Sequence, residues 1–189
     1  MPKIIKDLEK NIKKSAMELF IDYGYEQVDM KMISKKSGIA VGTLYNYYKS
    51  KKLLYMDILE ESWQSTFFDL DEISSLTTIP SKEKIKKLIT TLYEDTETRN
   101  GLGKYFLGNS PFELNEDENF NNLKNNLLTK VKNIISSVSK IETLSKCNNV
   151  DVMLTESLLL LILTTFQLHP ENKNDNINFL VEFINLSIK

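Results

Sequence analysis

Between Met30 and Lys52 the chain carries six lysines and no acidic residue, with three tyrosines (Tyr45, Tyr47 and Tyr48) between them. Ammonium groups in such a density bind polyanions by releasing condensed counterions, and acids among them would repel the ligand. Phenol hydroxyls add directional hydrogen bonds to phosphate oxygens, which fix register without reading sequence. The chemistry implied is therefore recognition of a phosphate backbone rather than bond making or breaking. The charge is also unevenly placed. Residues 1–55 hold eleven lysines against six acids, whereas the remainder is net acidic, in a chain of formal net charge -2. A basic head on an acidic body points to a polyanion partner for the head alone.

Reactive constellations are missing elsewhere. A single histidine, His169, stands before Pro170, and a single cysteine, Cys147, rules out an intramolecular disulfide. One of each cannot supply a His/Cys zinc site or a Cys/His nucleophile pair at recognisable spacing. Gly101, Gly103 and Gly108 lack the Lys-Ser/Thr ending and the preceding strand of a phosphate loop. Glu113, Glu116, Asp117 and Glu118 read as a solvated acidic loop. No enzyme is indicated, and no cofactor or metal is implied. The start has no apolar core of signal-peptide length. The longest apolar run, Ser157–Phe166, falls short of the ~20 residues that span a bilayer. The expectation is a cytoplasmic protein that does not enter a membrane.

The elements that must position the lysines and tyrosines are helices. With 41% hydrophobic and 26% charged residues in 189, the composition is globular. Periodicity of 3.6 recurs throughout while strand signals are almost absent. Leu8, Ile12, Ala16, Leu19, Phe20 and Tyr23 form a stripe that Gly24 stops. A short helix follows around Met30–Ser34, with Asp29 as N-cap and Gly38 past its end. A third runs from about Val41 to Tyr48. Ser50 caps a fourth, about Lys51–Leu70. Further helices are expected from near Pro80, around Leu102–Leu107, along Phe120–Val138, and at about Val150–Leu168 and Asp175–Ile188, with Asn109–Asn122 as a loop. The fold class is all-α with about nine helices. A three-helix head over residues 1–50 precedes a helical body over 51–189.

Two short helices joined by a Gly-containing turn and held by a longer one describe a helix-turn-helix, whose second short helix matches a major groove about 12 Å wide. The stretch "AMELFIDYGYEQVDMKMISKKSGIAVGTLYNYYKSKKLL" resembles the DNA-binding region of the tetracycline-repressor (TetR) family. Ala16, Leu19-Phe20, Gly24-Tyr25, Ile33, Gly38, Gly42-Thr43-Leu44-Tyr45, Tyr48, Ser50-Lys51 and Leu53 carry the match. The resemblance covers about the first quarter of the chain. It implies that Thr43, Tyr45, Tyr47 and Lys51 bind phosphate, and that Lys31, Val41, Gly42 and Asn46 face bases or the groove wall. Ala40 departs from the pattern, where a Ser or Thr commonly caps the recognition helix, and Ser34 replaces a small apolar residue.

The body raises two further expectations. The segment "SLLLLILTTF" is apolar nearly all round, and the last helix has apolar stripes at Ile177, Leu180, Val181, Ile184 and Ile188 and at Phe179, Phe183 and Leu186. Two apolar faces on a terminal helix call for a partner subunit, most simply by two-fold symmetry. Relatives in the family pair through their last two helices, which implies a homodimer interface at Leu159, Ile162, Leu163, Phe166, Leu180, Phe183 and Ile184. The middle helices supply an aromatic set, Trp63, Phe67, Tyr93, Tyr105, Phe106 and Phe112, expected to line a site for an apolar or amphipathic small-molecule effector. The reading is a ligand-responsive regulator, by family analogy a repressor, that binds a palindromic duplex operator as a homodimer. A helical interaction protein whose helix-turn-helix no longer binds DNA is the alternative.

Overall fold

The computed structural model describes residues 7–100, 102, 105 and 110–189. Ten helices occur among them: α1 (Leu8–Tyr23), α2 (Met30–Ser37), α3 (Val41–Tyr47), α4 (Lys51–Ser75), α5 (Ser81–Arg99), α6 (Phe112–Asn115), α7 (Glu118–Ser136), α8 (Glu142–Ser145), α9 (Val150–Leu168) and α10 (Lys173–Asn185). The only β pairing among the described residues is an isolated bridge between Lys140 and Ile188, which seats the chain end beside the α7–α8 connection. The all-α expectation holds. The acidic stretch expected to be a loop instead contains α6 and the start of α7, because Asp117 accepts from the Phe120 amide and caps the helix. α4 also runs five residues past its expected end. There Lys84, only 5% exposed, donates to the carbonyls of Ser74 (3.0 Å) and Leu76 (2.8 Å). That ammonium satisfies carbonyls a helix end leaves open. The helix expected around Leu102–Leu107 lies mostly outside the described residues.

The head is α1–α3, closed around Ile12, Ala16, Phe20, Ile33 and Leu44, all buried. Asn11 of α1 donates to the Ser37 carbonyl at 3.0 Å and so fixes α1 against the end of α2. In the body, α4 packs on α5 and α7, α5 on α9 and α10, and α7 on α9. Asn176 ties three of these pieces together, donating to the Tyr93 hydroxyl and to the His169 carbonyl, each at 2.7 Å.

Between α4 and α5 lies a buried cation. The Arg99 guanidinium sits 3.8 Å from the centre of the Trp63 ring, its Nε donates to the Ser62 carbonyl at 3.2 Å, and Asp95 stands 3.4 Å away. The Thr66 hydroxyl accepts from the same guanidinium. Stacking against an indole face with a carboxylate nearby is how a planar cation is held at 5% exposure. Trp63 also stacks on Phe67, with centroids 5.8 Å apart.

α9 is long and apolar enough to cross a bilayer by length and composition alone, with mean hydropathy 1.5. The ten-residue apolar run is thus the middle of a longer apolar helix. A core helix passes the same test, and Thr155, Leu158, Leu159 and Ile162 are indeed buried against the rest of the chain. Trp63→Ala removes both a buried ring and the surface on which Arg99 rests. A loss of about 3–5 kcal/mol is expected for such a truncation, read as a lower urea midpoint at unchanged slope.

Candidate functional site

The turn between α2 and α3 is built from local signals. Asp29 accepts from the Met32 amide at 2.8 Å and starts α2. Gly38 ends it at φ 70, in the left-handed region where a side chain is strained, while the Ile39 amide returns to the Ser34 carbonyl at 3.0 Å. Ala40 gives α3 no side-chain cap. α3 is instead held by packing, since Leu44 is fully buried and Tyr48, 7% exposed, follows it. The Tyr48 hydroxyl lies 2.5 Å from the Asp57 carboxylate and 3.1 Å from that of Glu9, joining the end of α3 to α4 and α1.

With Leu44 inward, the opposite side of α3 faces out. Tyr45 and Tyr47 are each 43% exposed, Lys31, Gly42 and Asn46 are exposed, and Val41 and Thr43 are half-buried. Gly42 stands in open space, because a Cβ placed there would meet nothing within 4 Å. Nothing inside the protein demands a glycine at that point.

Lys51 differs from the expected outward phosphate contact. Its Nζ donates to the Tyr25 carbonyl at 2.7 Å and lies 4.2 Å over the Tyr25 ring, and burial pushes its pKa down. The carbonyl left open after α1 and the ring beside it outcompete solvent for the ammonium. Lys36 pairs with Glu18 at 3.0 Å and Lys52 with Asp117 at 2.9 Å. Of the six lysines in the acid-free stretch, only Lys31, Lys35 and Lys49 make no ion pair or hydrogen bond through their side chains among the described residues. The cationic face is narrower than sequence spacing implies, since acids distant in sequence fold back onto it.

A second feature was not legible in the sequence: the junction between head and body. Tyr25, 2% exposed, stacks on Phe20 at 5.9 Å and meets Tyr55 of α4 at 4.8 Å, while Phe20 and Tyr55 are edge-to-face at 4.9 Å. The Tyr25 hydroxyl donates to Glu113 of α6 at 2.7 Å. Glu113, expected to be solvated, is thus the body's hold on the head, while Asp117 caps α7 and pairs with Lys52 inside the body. The N-cap position of Asp117 ahead of an apolar stripe was the available signal; nothing local marks Tyr25.

The aromatics expected to line one effector site do not converge. Trp63 and Phe67 stack together beneath Arg99, Tyr93 is fully buried against Asn176 and Phe166, and Phe112 is 77% exposed on the surface. Among the described residues of this set, Tyr105 borders a cavity of about 270 Å³. Phe106 lies outside the described residues. The residues expected at the dimer interface divide between core and surface. Leu159, Ile162, Leu180 and Ile184 are at most 5% exposed within the subunit's own core. Phe166 packs on Tyr93, Leu163 is half-buried, and Phe183 is 47% exposed. A helix that is apolar on every side does not declare which side its own subunit takes.

Residues 12–57, from α1 into α4, match the model of the bacterial regulatory proteins of the tetR family. An HTH-type transcriptional regulator of Staphylococcus aureus (strain MRSA252), SAR0097, is 30% identical over 136 residues, covering 69% of this chain and 71% of that one. The chain belongs to the tetR family of regulatory proteins. Among solved structures, FadR from Bacillus subtilis in complex with stearoyl-CoA superposes with a TM-score of 0.64 at 20% identity, covering 91% of this chain and 97% of that one. SmeT, the repressor of the Stenotrophomonas maltophilia multidrug efflux pump SmeDEF, gives 0.68 at 13% identity, covering 96% and 90%. These likenesses extend the shared fold from the tetR-type head through the helical body.

Burial, with nearby carboxylates in the first two cases, raises the phenols of Tyr25, Tyr48 and Tyr55 well above their ordinary value of 10. An acid raised in the folded state contributes stability that is complete below its unfolded pKa and lost as pH climbs toward the folded one. Three of the eight tyrosines are therefore expected to resist ionisation above pH 10 until the fold gives way. Tyrosinate absorbance should rise in two stages, the second coinciding with loss of helical circular dichroism.

Proposed function

We propose that this tetR-family chain is a homodimeric repressor whose residues 1–50 bind a palindromic operator and whose residues 51–189 dimerise and sense an apolar or amphipathic effector. The observation that carries this reading is the outward side of α3. α3 presents exposed phenols at Tyr45 and Tyr47, an exposed Asn46 and a glycine with no internal reason to be one, in a stretch whose Lys31, Lys35 and Lys49 make no ion pair among the described residues. Asn46 and Lys31 have the side chains suited to base edges, Asn to adenine and Lys to guanine. Tyr45, Tyr47 and Thr43 suit phosphate oxygens. Gly42 allows the backbone itself to approach the duplex.

Dimerisation is supported by what α9 and α10 leave uncovered. Met153, Leu160, Phe179, Phe183 and Leu186 are between 46% and 75% exposed, and Phe179 stacks on Phe183 at 5.9 Å. Apolar side chains grouped on two neighbouring helices mark an interface on a soluble surface. A two-fold axis there would place two heads one turn of DNA apart, ~34–36 Å. An effector releases such a dimer only if it binds better to a conformation whose heads are wrongly spaced. α4, running from the head at Lys51 to Ser75, is the element that reports body movements to the head. The stearoyl-CoA complex of FadR and the efflux-pump role of SmeT are in keeping with an effector that is apolar or amphipathic.

Gly42→Ala separates folding from function. A helical glycine costs roughly 0.5–1 kcal/mol relative to alanine, so the variant is expected to be more stable to urea yet to bind a selected operator at least tenfold more weakly. Equal or tighter operator binding would remove α3 from the groove. Phe183→Asp is expected to halve the mass in sedimentation at unchanged helicity; a dimer that persists would place the subunit contact elsewhere.

A further inference from the structure

The cavity bordered by Tyr105 opens where head and body meet. Phe20 comes from α1, Tyr55 from α4 and Phe166 from α9, with the side chains of Asn100 and Gln167 beside them. We infer that this junction cavity is an effector site for a small uncharged aromatic compound bearing one hydrogen-bonding group, of the phenol or indole class. The inference rests on the ligand-responsive reading above and deepens it by naming the site and the class.

Three properties restrict the occupant. At about 270 Å³ the space lies just below the ~300–1,000 Å³ of drug-sized sites. One or two fused rings fit; a long acyl chain does not. Four of the walls are aromatic rings, Phe20, Tyr55, Tyr105 and Phe166. Such walls favour a ring in offset or edge contact. Among the described residues no charged side chain lines it, so a carboxylate or ammonium would find no partner among them. The polar groups are amides at Asn100 and Gln167, both exposed, which suit one hydroxyl or ring N–H.

The position gives the site its consequence. Tyr25 packs on two of its walls, Phe20 and Tyr55, and the Tyr55 hydroxyl donates to the Leu102 carbonyl at 2.9 Å. An occupant therefore presses on α1 of the head and α4 of the body at the same time. It biases the head directly, with no need for a displacement carried along the length of α4.

The test uses the full-length dimer with indole and 2-naphthol as probes and dodecanoate as the charged long-chain comparison, read by calorimetry and by operator binding. Gln167→Trp fills the mouth from an exposed position. Asn100→Gly removes the rim amide while tolerating the backbone there, which has φ 46. Expected are saturable binding of at least one aromatic probe, at least tenfold weaker binding in both variants, and weaker operator affinity when the probe is bound to wild type. Circular dichroism of both variants, and the probe-free operator affinity of Asn100→Gly, should match wild type. Absence of probe binding, or binding that both variants retain, overturns the junction site while leaving response to some other effector intact. Binding that leaves operator affinity unchanged overturns its regulatory role. If no duplex is bound under any condition, the repressor reading fails, and calorimetry still decides whether the cavity takes aromatic compounds.

Discussion

Everything that the head can do depends on how Tyr25 is packed. One ring joins the turn after α1 to α4 through Tyr55, to α6 through Glu113, and to α1 through Phe20. The magnitudes say which contacts govern. Aromatic pairs contribute about 0.5–1.5 kcal/mol each beyond the area they bury, and a hydrogen bond to a carboxylate contributes about 1.5–3 kcal/mol. An ion pair with a partly exposed lysine, such as Lys13 of α1 with Asp57 of α4, is worth about 0–1 kcal/mol and is screened by salt. The aromatic trio and the bonds of Tyr25 to Glu113 and of Tyr48 to Asp57 therefore set the orientation of the head. The lysine pair adjusts it.

That arrangement explains the fate of the positive charge. Lys51 is drawn into the junction by the Tyr25 carbonyl and ring and serves the attachment of the head, while Lys52 is held inside the body by Asp117, so neither adds to the outer cationic surface. What remains outward is a small cationic set around exposed phenols on a chain of net charge -2. Long-range attraction to a polyanion is correspondingly modest, and directional contacts must supply more of the affinity. The bare backbone at Gly42 fits this division, because close approach strengthens short-range contacts at no cost in charge.

The parts legible in the sequence were those encoded locally. Asp29, Gly38 and Ser50 fixed the ends of short helices through hydrogen bonds within three or four residues, and all three act as expected. Leu44 and Tyr48 were readable as core by their period. Failures came where a residue's role depends on a partner far along the chain. Lys51 meets Tyr25, 26 positions away, and Tyr25 meets Glu113, 88 positions away. α9 failed for a different reason. A helix apolar on every side carries no periodic mark, so Leu159 and Ile162 could not be told from Leu160 until the neighbours α5 and α7 were in place.

Leu160 and its exposed neighbours also bear on how two heads could be spaced. In a dimer closed through α9 and α10, the distance between heads is set by two joints in series, the subunit contact and the attachment of each head to its body. An interface of large apolar side chains is a stiff joint, since sliding it re-exposes surface worth ~25 cal/mol per Å². The head attachment is a smaller joint, built from three rings and a handful of polar contacts beside an open cavity. For a given effector energy, displacement concentrates where resistance is least, so an effector of the kind proposed would act at the Tyr25–Tyr55 junction and not at the subunit seam.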